Sequence, residues 1–412
     1  MFSRIRCFIS EISSRVPSTI KTVGIVSFLI NTSTLMIFSL FGLYLHDELH
    51  IDFSRIGFLD GTIESLSFIM KIFSGILSDF LMNRKLIFLL GAILLFVAKP
   101  LEAIATNYWS LFQAKILERV GNGLQSTPRD AIVGDWAPKE YKATCFGIRQ
   151  SFAAFGAVFG AILAMTIFKL SGEDYQFVFW MATIPSFFAV CLIIAFVKDK
   201  SREIKKSSKS FPKYRKIRFS EIKNLGREYW MLICVACTYM VSKVSESIVI
   251  LYVLEALGLP KSVAPACMIV YQLGNGFAPV PAGMLSDRLK SRETLFIIGM
   301  VIFLLSDILF ILASNLFMII GALLCLGMYI GITQSIFPAK IVDLVAPDLK
   351  GTGIGIYNLV CALSLLVGGT LAGYVADKYS LKHSFIASSG LAVISLVLML
   401  NLTKVLRKKD SK

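Results

Sequence analysis

Long apolar stretches separated by short polar breaks recur from one end of the chain to the other. An α-helix of about 18 or more such residues is long enough to cross the hydrocarbon core of a bilayer. Hydropathy and the helix-breaking residues predict twelve spans, at residues 22–45, 56–80, 86–105, 109–127, 146–168, 177–197, 230–254, 262–286, 294–313, 316–338, 352–376 and 383–403. The chain is therefore predicted to be an all-α membrane protein with twelve transmembrane helices.

The Lys and Arg residues outside these spans fall mainly on one side of the membrane. The two termini and the loops after the even-numbered spans hold 31 of them, whereas the opposite loops hold 5. Cytoplasmic loops of membrane proteins carry an excess of Lys and Arg. We therefore expect a multi-pass protein of the bacterial inner membrane with both termini in the cytoplasm.

Composition supports this prediction and excludes other classes of protein. Hydrophobic residues make up 56% of the 412 residues and charged residues 17%, against about 25% charged residues in soluble domains. The formal net charge of +15 lies mostly in loops and tails, which excludes a nucleic-acid-binding face. No nucleophile–base pair or metal-ligand cluster stands at the depth of the spans, so we predict no enzymatic activity, no cofactor and no metal site.

One long polar insertion divides the chain. Residues 198–229 contain 12 basic and 4 acidic residues. This linker is either a cytoplasmic tether that follows the positive-inside rule or a regulatory segment that binds anionic lipid. The expected organisation is an N-terminal cytoplasmic segment 1–21, a six-helix half 22–197, the linker 198–229, a second six-helix half 230–403 and a tail 404–412.

Two segments half a chain apart carry the same motif. Residues 75–79 have the sequence Gly-Ile-Leu-Ser-Asp and residues 283–287 have Gly-Met-Leu-Ser-Asp, at an offset of 208. The shared positions are Gly75, Asp79 and Arg84 in the first copy and Gly283, Asp287 and Arg292 in the second. A six-helix unit used twice predicts two pseudo-symmetric halves, and transporters built in this way bind solute near the bilayer midplane, between the halves.

The segment from Gly75 to Lys85 resembles the signature loop between the second and third helices of the major facilitator superfamily. The resemblance extends over essentially the whole chain. It implies twelve helices in two halves, with helices one, four, seven and ten around a central cavity. It also implies that the Gly, Asp and Arg of each copy form a latch at the cytoplasmic mouth.

Two further motifs bear on the mode of transport. Residues 117–123 resemble the superfamily's fourth-helix motif, with Asn122 where Gln is usual. In that family the arginine is linked to proton coupling, which implies this role for Arg119. The glycines of span five have the spacing of the antiporter motif, but Ala161 stands where that motif has proline. The resemblance to antiporters is therefore incomplete.

Ionisable residues inside the predicted spans are candidates for function, because charge deep in a bilayer is costly. Asp60, Glu64 and Lys71 share one face of span two, which must contact another helix or a water-filled cavity. Asp60 is expected in water near the outer end, whereas Glu64 lies deeper and suits either a proton carrier or a structural ion pair. Lys99 and Glu102 are expected to snorkel at the outer end of span three.

The candidate substrate-binding residues lie on spans one, four, seven, eight and ten. They are Asn31, Lys115, Arg119, Asn122, Lys243, Glu246, Tyr271, Gln272, Asn275, Tyr329 and Gln334. The candidate proton-coupling residues are Glu64, Glu118, Arg119 and Glu246. The uncharged polar residues are the weaker candidates, because such side chains often bond only their own helix.

These observations predict a proton-coupled secondary active transporter that moves a small organic solute, such as an anionic metabolite or a carboxylate siderophore, by alternating access. Arg119 and Lys243 favour an anion, whereas the three glutamates favour the alternative of multidrug or organic-cation efflux by proton antiport. A non-transporting membrane receptor is the third alternative. The expected partners are the substrate, protons and membrane lipids, including anionic lipid at the linker, with a monomeric protein and no nucleic acid.

Overall fold

A computed structural model of the chain describes residues 17–81, 83–138, 142–199, 225–278, 292–345 and 349–410. These residues form thirteen α-helices. They are α1 (Ser18–Leu43), α2 (Phe53–Leu81), α3 (Arg84–Ala103), α4 (Tyr108–Trp136), α5 (Lys142–Leu170), α6 (Tyr175–Phe196), α7 (Arg227–Val241), α8 (Glu246–Leu257), α9 (Ala264–Phe277), α10 (Arg292–Ile311), α11 (Leu316–Leu344), α12 (Lys350–Lys378) and α13 (Leu381–Asp410). A π-helical turn, Tyr44–Glu48, follows α1, and a 3₁₀ turn, Lys261–Val263, precedes α9.

Within the described ranges, eight helices are long and apolar enough to cross a membrane by themselves, and α7 with α8 form a ninth candidate that is bent by 40°. The helices α2 and α4 have 29 residues each but carry charged side chains. The predicted eighth span includes residues 279–286, which lie outside the described residues. An all-α membrane fold is confirmed, whereas the number of twelve spans stays a prediction.

The helix starts show the same internal repeat as the sequence motifs. Asn107 accepts a hydrogen bond from the backbone N–H of Ser110 at the start of α4. Asn315, 208 residues later, accepts one from the backbone N–H of Met318 at the start of α11. Asparagine is a favoured N-cap because its side chain satisfies an N–H group that has no partner inside the helix. The two halves therefore begin equivalent helices with equivalent caps.

The helices pack mainly within their own half. In the first half α1 contacts α5 and α6, and α3 contacts α4 and α6; in the second half α10 contacts α11 and α13. Contact between the halves runs mainly through two helix pairs, α2 with α12 and α5 with α9, with smaller contacts of α8 with α1 and α2 and of α9 with α1. These pairs set the relative position of the halves around the space between them.

One end of the α2–α12 pair is closed tightly, and we call it the outer seal, after the orientation that the sequence predicts. A Cβ atom at Gly57 would overlap the carbonyl oxygen of Gly369, so the two backbones touch. The Asp377 carboxylate of α12 accepts hydrogen bonds from the first two backbone N–H groups of α2, at 2.9 and 2.8 Å. Next to them, Lys261 Nζ lies 2.9 Å from Asp47 Oδ2, which joins the second half to the first.

Candidate functional site

A cavity of about 580 Å³ lies between the two halves. Nine of the residues predicted to bind substrate or couple protons line it, and they come from both halves. They are Asn31, Glu64, Arg119, Lys243, Glu246, Tyr271, Gln272, Asn275 and Tyr329. The pseudo-symmetric arrangement expected from the sequence thus brings these side chains to one space.

The cavity is open at the end remote from the outer seal. Three residues of the α2 stripe line it, and their exposure increases along the helix. Asp60 is 5% exposed, the Glu64 side chain is 42% exposed, and Lys71 is exposed. Since all three face the cavity, this gradient shows that access is from the Leu81 end of α2.

Arg119 and Glu64 form an ion pair across the cavity wall. The guanidinium Nη1 of Arg119, on α4, lies 3.2 Å from Glu64 Oε1 on α2. The guanidinium also lies 5.5 Å from the ring centre of Phe38 on α1, within the range of a cation–π contact. The pair neutralises both charges while leaving the Glu64 side chain in contact with the cavity.

The second carboxylate of the cavity stands at a break in a predicted span. Hydropathy predicts one helix over residues 230–254, but α7 ends at Val241 and α8 begins at Glu246. Ser245 caps α8 by accepting the backbone N–H of Ile248 at 3.4 Å. Tyr271 of α9 donates its hydroxyl hydrogen to Glu246 Oε1 at 2.5 Å. The break therefore places Glu246 at a helix start that faces the cavity.

Two lysines in the cavity have no carboxylate within 4.0 Å among the described residues. Lys243 Nζ lies 5.3 Å and 5.9 Å from the ring centres of Tyr239 and Tyr329. Lys71 Nζ lies 4.9 Å from the ring centre of Phe68. Aromatic faces attract these cations but do not neutralise them. Both ammonium groups are thus available to a negatively charged ligand.

Lys115 and Glu118 lie elsewhere than the sequence indicates. They do not line the cavity but join Lys99 and Glu102 in a fully buried ion cluster between α3 and α4. Lys115 Nζ lies 2.7 Å from Glu118 Oε2 and 3.1 Å from Glu102 Oε2, and Lys99 pairs with Glu118. The face shared by Lys115, Glu118 and Arg119 meets α3 at one end and the cavity at the other. Snorkelling of Lys99 and Glu102 is therefore a wrong prediction.

Two further candidates are Asn122 and Gln334. Asn122 accepts a hydrogen bond from the Gln125 side chain at 3.2 Å and does not line the cavity. The side chain of Gln334 lies outside the described residues. Asp307 of α10, an ionisable residue that was not among the predicted site residues, accepts a hydrogen bond from Ser388 at 2.7 Å and lines the cavity.

The predicted latch is described only in part. Arg84 pairs with Asp135 on α4, a partner that the sequence motif did not identify. Gly75 lies on α2 next to Thr127 of α4. The side chains of Asp79 and Arg292, and both Gly283 and Asp287, lie outside the described residues. In the second half, Lys340 of α11 pairs with Glu293 of α10. The acid and the base are exchanged relative to the first half, where the base lies on α3 and the acid on α4.

Comparison with known proteins agrees with this architecture. The model of the family described as Major Facilitator Superfamily matches residues 23–241 and 231–412. An uncharacterised MFS-type transporter of Methanocaldococcus jannaschii is 27% identical over 355 residues, which cover 84% of this chain and 85% of that protein. These matches take in both halves of the chain.

Solved transporter structures have the same fold. A crystal structure of a variant of the nucleoside transporter NupG has a TM-score of 0.78 at 13% identity and covers 93% of this chain and 100% of that chain. The structure of a POT family transporter in complex with a thioalcohol-conjugated peptide has a TM-score of 0.78 at 14% identity and covers 96% and 97%. At these identities the similarity describes the fold alone.

Proposed function

Because the chain belongs to the major facilitator superfamily, we propose that it is a secondary active transporter that moves a small organic anion by alternating access. The observation that carries this proposal is the cavity between the halves, which is sealed at one end and open at the other. A solute that enters from the open end can leave by the other end only if the outer seal separates. Rocking of two halves around a fixed site supplies such a movement.

The unpaired ammonium groups support an anionic substrate. Lys71 and Lys243 face the cavity without a carboxylate partner among the described residues, and Arg119 faces it while paired with Glu64. A carboxylate or phosphate would form charge-assisted hydrogen bonds with these donors. The ring faces of Tyr239 and Tyr329 around Lys243 would contact an apolar part of the solute.

Proton coupling follows from competition for Arg119. A bound anion would compete with Glu64 for the guanidinium, because both present oxygen atoms to the same donor. Glu64 would then lose its counter-charge and would need a proton to stay in the cavity wall at low cost. We propose Glu64 and Glu246 as the proton-coupling residues, with Arg119 as the link to the substrate.

The acidic lining supports a second candidate, efflux of organic cations by proton antiport. Asp60, Glu64 and Glu246 all line the cavity, and tyrosine rings lie next to them. Three carboxylates with aromatic faces suit a lipophilic cation. An anionic substrate requires unpaired cations in the cavity, whereas an organic cation requires unpaired carboxylates. Lys71 and Lys243, which have no carboxylate partner among the described residues, favour the anion.

The cellular setting is proposed from charge and composition. The distribution of Lys and Arg supports an inner-membrane protein with both termini in the cytoplasm, so that the outer seal faces the periplasm and the cavity opens inward. We also propose a monomeric protein and a linker, residues 198–229, that either tethers the halves or binds anionic lipid. Most of that linker lies outside the described residues.

A ligand panel on the purified protein tests the anion proposal. Di- and tricarboxylates, phosphorylated metabolites, amino acids and lipophilic cations are compared by thermal unfolding in detergent. A ligand at one hundred times its dissociation constant adds about 2.7 kcal/mol of apparent stability. We expect stabilisation by an anion in the wild type and in Lys169→Met, whose lysine is exposed outside the cavity, but not in Lys243→Met. Stabilisation by lipophilic cations alone would refute the anion and support efflux.

A further inference from the structure

A carboxylate buried at the closed end of the cavity has no cationic partner among the described residues. Asp60 of α2 is 5% exposed, and neither of its side-chain oxygens forms a hydrogen bond within the described part of the chain. No Lys or Arg nitrogen of that part lies within 4.0 Å of it. An ionised carboxylate buried in this way costs several kcal/mol unless a cation neutralises it. Asp60 therefore needs a bound cation, of which the simplest is a proton.

Two serine hydroxyl groups face Asp60 from the other half of the protein. The side chains of Ser245 and Ser247 lie beside it, at the break between α7 and α8. Ser245 is occupied as the cap of α8, whereas Ser247 is 2% exposed and its hydroxyl has no hydrogen-bond partner among the described residues. Carboxylate and hydroxyl oxygens are hard donors, and hard cations take oxygen ligands.

The charges around Asp60 do not compensate it. The groups that face it are Glu64 on the same helix, Arg119 and Tyr108 on α4, and Glu246 on α8. The one cation among them, Arg119, is already paired with Glu64. On its remaining side, α12 packs against α2 through the close backbone contact of Gly61 with the carbonyl oxygen of Leu365, which brings no cation. The surroundings thus hold more negative than positive charge.

We propose that Asp60 and Ser247 form a binding site for one monovalent cation, a proton or a sodium ion, that is complete only while the outer ends of the two halves are in contact. Asp60 belongs to the first half and Ser247 to the second. Separation of the outer seal pulls the two ligands apart and admits water to Asp60, so the cation leaves on the outer side. A ligand that binds one conformation more tightly shifts the equilibrium toward it. The cation therefore stabilises the closed outer end.

This inference rests on the proposed alternating access and adds to it the site at which the driving ion acts. It assigns the two carboxylates of α2 different tasks. Glu64 responds to the substrate through Arg119, whereas Asp60 responds to the closure of the outer end. Coupling between such sites is commonly worth about 5- to 150-fold in an equilibrium constant.

The test measures the distance across the outer end without any substrate. Spin labels are attached through cysteines introduced at Thr106 and Ser314, which are exposed and occupy equivalent loops of the two halves, after replacement of the exposed Cys191 and Cys234. The full chain in lipid nanodiscs is compared in sodium chloride and in choline chloride at equal ionic strength, each at low and at high pH.

We expect sodium at high pH, or low pH without sodium, to raise the closed-to-open ratio by about 5- to 150-fold. A response to sodium identifies a metal-ion site and should disappear in Ser247→Ala, whereas a response to pH alone identifies a proton site. Asp60→Asn should stay closed under all conditions. The control Asp174→Asn, which alters an exposed aspartate outside the cavity whose helix-capping role asparagine can keep, should respond as the wild type does.

An unchanged ratio in the wild type under all conditions would overturn the proposal, as would a normal response of Asp60→Asn. If Asp60→Asn does not fold, sodium- and pH-dependent thermal unfolding of the wild type and Ser247→Ala provides the same comparison. Substrate flux without ion-dependent closure would refute this site and leave the transport proposal intact. Ion-dependent closure without flux of any solute would refute transport and leave the site intact.

Discussion

Replacement of Lys115 by methionine provides the sharpest test of the electrostatics described above. Lys115 is fully buried and contacts both Glu118 and Glu102, while its ammonium group lies 4.6 Å from the ring centre of Phe41. Methionine has a similar length and no charge. In Lys115→Met, two buried carboxylates therefore share a single remaining cation, Lys99.

The size of the effect follows from the charge that is left without a partner. Breaking a buried ion pair from one side typically costs about 3–5 kcal/mol, because the remaining charge is desolvated and unpaired. The double replacement Lys115→Met with Glu102→Gln restores neutrality and leaves Lys99 paired with Glu118. We therefore expect the double variant to recover most of the stability lost in the single variant.

Equilibrium unfolding of the protein in mixed micelles measures both variants against the wild type. Lys169→Met serves as the control, since Lys169 is exposed and surface replacements usually change stability by less than about 0.5 kcal/mol. A loss below about 1 kcal/mol in Lys115→Met, or a double variant that is less stable than the single variant, would show that these four charges do not compensate one another.

Three further predictions concern the outer seal and the cavity. Gly57→Ala should widen the outer end in spin-label distance measurements, because its Cβ would overlap the facing helix, whereas Gly147→Ala, whose Cβ meets nothing, should not. Asp377→Ala should weaken the closed state by about 0.5–2 kcal/mol through loss of the cap on α2, seen as a larger open fraction; an unchanged fraction would refute the cap. Tyr271→Phe should lower the unfolding free energy by about 1.5–3 kcal/mol, because Glu246 loses a charge-assisted hydrogen bond; wild-type stability would contradict that bond.

The charged helix faces show how far sequence patterns reach. Helical periodicity places Arg119, Lys243 and Glu246 on faces that the structure brings to one cavity. The same periodicity puts Lys115 beside Arg119 but does not say which neighbour each end of that face meets. The i,i+3 pair Lys99 and Glu102 on the preceding helix was the available signal, since a second charged pair at similar depth can neutralise the first.

The break in span seven and the burial of Asp60 were beyond such reasoning. Residues 242–245 contain no proline or glycine, so only the capping potential of Ser245 marks the start of α8. Asp60 lies near the outer end of the predicted span 56–80, at a depth where a side chain is expected to contact water. It is buried because α12 packs against the glycines of α2, a contact between residues about 300 positions apart that periodicity does not contain.

Solute-driven proton movement in proteoliposomes tests the central claim most directly. Purified protein is reconstituted with a pH-sensitive dye inside the vesicles, and the anion identified in the ligand panel is added outside. Coupled transport predicts a proton flux that depends on the anion in the wild type and is lost in Glu64→Gln and in Arg119→Ala. Anion flux of equal size in the wild type and Glu64→Gln, without a change in internal pH, would contradict the account.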